Sequence, residues 1–416
     1  MATGQQKFHS MSPRSATQKT SPPRPTLDDG PGGICTPTTL SSYSDGSLPM
    51  RPFCTLTDFS TRLLLHLLRE NDGPNVCVSP FGVTVALSMA LAGAGEVTSS
   101  QMVNVMGAID ANALYRTCEK ISSMLNSAES HTKVYLGSKM YVSRDVPIFP
   151  EFKETVAEVF IDELGVLDFK SSPSDAAREI NSWAEKATER QLPQVVKSSD
   201  VSTHTRMVLV SAIYFRGLWG EAFMKATKSQ FYVTPTETVP VYMMESLRGA
   251  HYCSSKQLPC EALELSYVCR ALSLLVLLPD VGTSLETLAA ALNYAHLRKL
   301  MRELKSVTNI AVWFPRLQLL RTYKLEGALR DMGMQNIFDP SNADLSKMSS
   351  DANLCVDSFI HEALFETSEE GLGEGSPVPS PIPADLHKFR VDRPFIFVLL
   401  HHFNHAVVFV GAVRKP

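Results

Sequence analysis

Near its C-terminal end the chain runs Leu372-Gly373-Glu374-Gly375-Ser376-Pro377-Val378-Pro379-Ser380-Pro381-Ile382-Pro383, a stretch with almost nothing to fill a core. It stands between two segments that read as buried strands, residues 356–367 and the apolar block Arg393-Pro394-Phe395-Ile396-Phe397-Val398. Backbone so poor in packing groups has to cross the surface, where function concentrates. With Glu369-Glu370-Gly371 just ahead of it, this long exposed connection is the feature any fold for the chain must accommodate.

The 416 residues are 44% hydrophobic and 20% charged, enough to bury one large core or two smaller ones. A net charge of -4 argues against nucleic acid as a partner, and no apolar run is long enough to cross a bilayer. The opening residues Met1-Ala2-Thr3-Gly4-Gln5-Gln6-Lys7 have no apolar stretch behind them of the kind a secretory signal needs. Eight cysteines, Cys35, Cys54, Cys77, Cys118, Cys253, Cys260, Cys269 and Cys355, form no C-x-x-C pair and have no histidine at metal-binding spacing. There is no N-x-S/T glycosylation sequon. These features predict isolated thiols in a reducing compartment and favour the cytoplasm, with an extracellular location as the alternative if the true start differs.

Residues 1–52 are dominated by Ser, Thr, Pro and Gly and hold too few apolar groups to offset the entropy of ordering. They are expected to form a disordered tail before a folded domain over 53–416. Thr57 or Asp58 can cap a first helix with Phe59, Leu63 and Leu67 on one face, stopping at Asn71-Asp72-Gly73-Pro74. A short strand, Val76-Cys77-Val78, precedes Ser79-Pro80, an N-cap followed by proline at the first helical position. Residues 175–188 read as a helix with Ile180, Trp183, Ala184 and Ala187 on one face. The runs 207–215, 272–278, 395–400 and 407–410 are apolar on both faces, as strands inside a covered sheet are. Helices first and strands mostly later predict a mixed α+β fold.

Many of these signals fall into a known order. Asn75 with Ser79-Pro80, Gly93-Ala94-Gly95, Ile180-Asn181-Ser182-Trp183, Leu209-Val210-Ser211-Ala212-Ile213-Tyr214-Phe215 with Gly217 and Trp219, and Phe314-Pro315-Arg316 are followed by Met332-Gly333-Met334 and by Phe338 with Ala343-Asp344-Leu345. Glu369-Glu370-Gly371, Asp392-Arg393-Pro394-Phe395 and Phe409-Val410-Gly411 complete the set. In order and spacing, over about residues 55–416, the chain resembles the serpins. The resemblance implies three β-sheets, eight or nine helices, an exposed reactive loop, and a protease as partner to a monomer. In inhibitory serpins the protease cuts the loop and is held as an acyl-enzyme while the loop enters the large sheet as a new strand. No catalytic residue, cofactor or metal of the chain's own is then expected. The alternative within the family is a non-inhibitory carrier, chaperone or receptor ligand.

The resemblance maps the loop hinge onto Glu369, Glu370, Gly371, Leu372, Gly373 and Glu374, with Leu372 standing where inhibitors prefer Ser or Thr. Alternate residues of an inserted strand turn inward, so Glu374 or its neighbours face desolvation of a few kcal/mol. Pro377, Pro379, Pro381 and Pro383 lack the N–H that a central strand uses, at about 1 kcal/mol per lost bond. Trapping is therefore expected to be inefficient and simple cleavage favoured. Counting from Gly371 puts the reactive bond at Asp385-Leu386, and counting back from Pro394 puts it nearer Pro383 and Ala384. Asp385 would suit a basic specificity pocket in a serine or Asp-specific cysteine protease, while Lys388 and Arg390 are trypsin-like alternatives.

The family's sheet-opening region maps onto Ser79, Gly82, Ser211 and His361, with Trp219, and Gly82 and Ser211 depart from the commoner Ser and Asn. Three further patterns read as structural. The stretch from Gly371 to Gly375 lacks the helix and lysine of a phosphate loop. His401, His402 and His405 read as a solvated turn, and Arg298, Arg302 and Lys305 as a solvated helix face interrupted by Glu303.

Overall fold

The computed structural model describes residues 52–70, 73, 75–126, 132–160, 164–269, 271–401 and 406–416. The tail expected over 1–52 lies outside them but for Pro52, as do Asn71, Asp72 and Pro74 of the expected helix stop, and His402 and His405. Among the described residues there are nine α-helices: α1 (Pro52–Glu70), α2 (Pro80–Ala92), α3 (Glu96–Met106), α4 (Ala111–Asn126), α5 (Pro150–Phe160), α6 (Pro173–Ala187), α7 (Leu285–Ala291), α8 (Tyr294–Glu303) and α9 (Glu326–Asp331). The strands are β1 (Val76–Val78), β2 (Thr132–Ser143), β3 (Gly165–Leu167), β4 (Met207–Gly217), β5 (Thr227–Tyr232), β6 (Thr238–Ser254) and β7 (Cys260–Ser266), then β8 (Leu272–Pro279), β9 (Lys305–Pro315), β10 (Gln318–Lys324), β11 (Ser358–Glu366), β12 (His387–Arg390), β13 (Phe395–His401) and β14 (Val407–Val413).

The helix starting at Ser79 behaves as its sequence predicts: the Ser79 hydroxyl accepts the Gly82 N–H, Pro80 opens the first turn, and α2 is buried nearly all round. The start of α1 differs. It lies at Pro52, ahead of Thr57 and Asp58: proline is tolerated in a first turn, where its fixed φ suits the helix and its missing N–H is one that has no partner within the helix. The Asp58 carboxylate serves another helix instead, accepting the Tyr294 N–H at the start of α8 at 2.7 Å.

A five-stranded sheet runs in the order β10-β11-β4-β2-β3. Its two faces explain why β4 is apolar throughout: Val208, Val210, Ala212 and Tyr214 meet Ile180 and Ala184 of α6, while Met207, Leu209, Ile213 and Phe215 join the main core. The remaining strands form one hydrogen-bonded system, β1-β14-β13-β8-β7-β6-β9-β12 with β5 on β6. The three sheets expected from the resemblance thus appear as two connected ladders, because the 17 residues of β6 pair with β5 at one end, β9 in the middle and β7 at the other.

Candidate functional site

The site is built around one seam. Strands β4 and β11, far apart in sequence, are parallel neighbours from Val208 opposite Ser358 to Arg216 opposite Glu366. A segment leaving β11 can double back between them only by breaking that ladder. In this structure it does not: residues 367–386 cross the surface and end at β12, which pairs in parallel with β9. Leu372 is 56% exposed, and Glu374, Pro383, Ala384 and Asp385 are exposed too. Leu386 is half-buried, its N–H reaching the Pro383 carbonyl at 3.2 Å, so the candidate bond Asp385-Leu386 sits on a turn just before β12. Lys388 and Arg390 fall inside β12, and Arg390 is held by Asp392 at 3.0 Å and Ser229 at 3.1 Å.

The hinge is tied down on the outside. Trp219 N–H donates to the Glu370 carbonyl at 2.9 Å, Leu372 N–H to Trp219 at 3.0 Å, Ala222 N–H to Leu372 at 3.2 Å and Phe223 N–H to Glu369 at 2.9 Å. The Trp219 indole donates to the Ser368 carbonyl at 2.7 Å, and Leu247 N–H to Ser376 at 2.9 Å. Both glycines here are required by closeness: a Cβ on Gly371 would lie 2.7 Å from the Ala222 backbone, and one on Gly375 2.5 Å from the Phe223 carbonyl carbon. Glu370 pairs with Arg216 at 2.9 Å, and Glu369 pairs with Arg316 and accepts the Ala226 N–H at 2.9 Å. Burial pushes the Glu369 carboxyl up, but these donors outweigh it and hold the group below its ordinary range.

Beneath the seam, Ser79, Gly82, Ser211 and His361 do come together. Ser138, Ser211 and His361 lie in register across β2, β4 and β11. Ser79 N–H donates to His361 Nε2 at 3.0 Å, which leaves the ring proton on Nδ1, and burial pushes the imidazole down to about 3. The Ser79 hydroxyl donates to the Val408 carbonyl at 2.7 Å, and Ser138 Oγ to Gly82 at 3.2 Å. A Cβ on Gly82 would stand 2.7 Å from Ser211 Oγ, so the two departures from the commoner residues fit each other: the absent side chain at 82 makes room for the hydroxyl at 211. Ser211 Oγ and His361 Nδ1 are buried without a hydrogen-bond partner among the described residues. Trp219 lies apart from this cluster, stacked on Tyr267 at 4.6 Å under the hinge.

The family model described as "Serpin (serine protease inhibitor)" matches residues 55–416. This chain belongs to the serpin family. Its serpin relatives include human Serpin B9, 29% identical over 366 residues that are 86% of this chain and 97% of the relative. Bovine leukocyte elastase inhibitor is 30% identical over 371 residues, 86% of this chain and 98% of its own. Among solved serpins, uncleaved ovalbumin has a TM-score of 0.81 at 29% identity, with 88% of this chain and 99% of ovalbumin covered.

In this serpin the predicted hinge residues Glu369 to Leu372 converge on the segment from Trp219 to Phe223, while Glu374 and the candidate bond point away from it into solvent. Sequence reasoning missed Arg248. It stands on β6 at 5% exposure, in register with inward-facing Met244 and Ser246, and its guanidinium donates to the carbonyls of Glu221 at 2.7 Å and Ala222 at 2.9 Å. The signal was an arginine at an inward position of an alternating strand. His401 is buried in β13, so it does not belong to a solvated turn.

Proposed function

We propose that this serpin presents the Asp385-Leu386 bond to a protease and is cut there as a substrate more readily than it traps its partner. The observation that carries the reading is the combination of a closed β4–β11 seam, a hinge bound outside it, and an exposed turn at Asp385. Placement of Lys388 and Arg390 within β12 supports Asp385 over the basic alternatives, and points to proteases with a basic specificity pocket, whether serine or cysteine enzymes. The chain's part is binding and presentation; the covalent chemistry belongs to the protease. Incubation with acid-specific and trypsin-like proteases tests this: cleavage after Asp385 with little SDS-stable complex is expected. A stable complex formed in high yield overturns it.

Leu372 and the four loop prolines also favour a second reading, a serpin whose loop is only a surface feature of a carrier or receptor ligand. No cleavage within 372–386 by any protease of such a panel would decide for that reading. We further propose a monomer acting in a reducing compartment. Six described cysteines are free thiols, five of them buried, which fits such a compartment; recovery of the endogenous protein mainly from culture medium would contradict it.

A further inference from the structure

We propose that Arg248 is a positioning residue that holds the loop hinge on the outer rim of the molecule, so that retention of the loop, beyond its composition, keeps it out of the five-stranded sheet. This rests on the reading of the loop as a segment that stays outside the sheet, and it names the side chain responsible.

The segment from Trp219 to Phe223 receives the hinge through four backbone hydrogen bonds, yet it lies outside the strands apart from bridges of Trp219 to Tyr267 and Gly371. Gly220 N–H binds the Ser266 carbonyl at 2.8 Å and Met224 N–H, just past its end, binds Glu245 at 2.8 Å, and between these anchors the carbonyls of Glu221 and Ala222 take another partner. Arg248 reaches the segment from β6: two of its N–H groups engage consecutive carbonyls, Glu221 and Ala222, and its guanidinium carbon lies 3.8 Å from the centre of the Phe223 ring. These carbonyls share peptide units with the N–H groups of Ala222 and Phe223, which bind the loop. The same strand supplies Leu247 N–H to Ser376.

The arginine is in an expensive position. It is buried, no carboxylate lies within ion-pair distance of it among the described residues, and its Nε has no hydrogen-bond partner there. Its hydrogen bonds go only to carbonyls and its face lies on an aromatic ring, with the Glu221 charge acting on it from beyond ion-pair distance, and this arrangement fixes the docking edge. The loop side is fitted to that edge by Gly371 and Gly375, where a side chain would strike the backbone of Ala222, Phe223 and Met224. Insertion would therefore require the hinge to leave a formed dock before any bond in the sheet is gained.

Hydrogen exchange of the intact, uncut full chain reads the dock directly and needs no protease, so its outcome is separate from whether complexes form. In wild type the amides of Trp219, Ala222, Phe223, Leu247 and Leu372 should exchange more slowly than exposed amides such as Ala384 and Asp385. Arg248→Met should speed exchange in 219–224 and 369–376 by roughly tenfold or more while leaving β8 and β13 unchanged, and Arg248→Lys should recover part of the protection. If Arg248→Met weakens the whole fold, Gly375→Val replaces it: the added side chain forces residues 375 and 376 off Phe223 and Met224, and should give the same local rise at Leu247. Wild-type hinge amides exchanging as fast as Ala384, or no local rise in either variant, would overturn the proposal.

Discussion

His361 and Glu362 are neighbours on β11 that face opposite sides of the five-stranded sheet, and burial moves them in opposite senses. The imidazole drops from 6.5 to about 3, so between those values the unfolded chain holds a proton that the folded one refuses, and acidification destabilises the fold. The Glu362 carboxyl rises from 4.5 to about 7, so over that range the folded chain keeps a proton that the unfolded one loses, and raising the pH destabilises it. Each slope is about 1.4 kcal/mol per pH unit, and they oppose each other where they overlap. Glu362→Gln is therefore expected to raise the urea midpoint at pH 7 by an amount equivalent to a few kcal/mol and to change it little at pH 4. An unchanged midpoint at pH 7 would show that Glu362 is not desolvated. His361→Gln, which keeps an acceptor for Ser79, should flatten the loss of stability between pH 4.5 and pH 3, where Glu362 no longer opposes it, and leave a gain in stability on acidification from pH 6.5 to pH 4.5. The cluster of Ser79, Gly82, Ser211 and His361 was legible from residue order, whereas the fit between Gly82 and Ser211 was not, since it depends on the distance between a helix and a strand.

Among the elements, those whose own residues dictate their surroundings were legible. The runs over 207–215, 272–278, 395–400 and 407–410 became β4, β8, β13 and β14 because apolar residues on both faces have only a covered sheet to enter. The start of α1 was misplaced because Thr57 and Asp58 are good caps in isolation, and Asp58 is used by α8 across the fold. The span of β6 and the dock for the hinge were hidden for the same reason: they arise from pairings between segments distant in sequence. The loop itself yields an element-scale prediction. Replacing Leu372 with Thr, Glu374 with Ala, and Pro377 and Pro379 with Ala removes a buried charge and restores two ladder donors on insertion, each donor contributing about 1 kcal/mol. Once cut, this variant should melt well above its intact form. If it does not, loop composition is not what opposes insertion.

For the whole molecule, we propose from the composition change near Phe53 that a separable tail of about fifty residues precedes one serpin domain. Limited proteolysis should leave a stable fragment beginning near that point, and a protected fragment beginning near Met1 would contradict the division. A substrate-like serpin needs a closed seam between β4 and β11 and a loop that remains outside it after cleavage. The most direct measurement is the melting temperature of the wild-type chain before and after a single cut at Asp385-Leu386. A cut loop that stays docked adds no strand, so the two forms should melt within a few degrees of each other. A large rise on cleavage would mean that the loop has entered the sheet, and the non-trapping reading would fall.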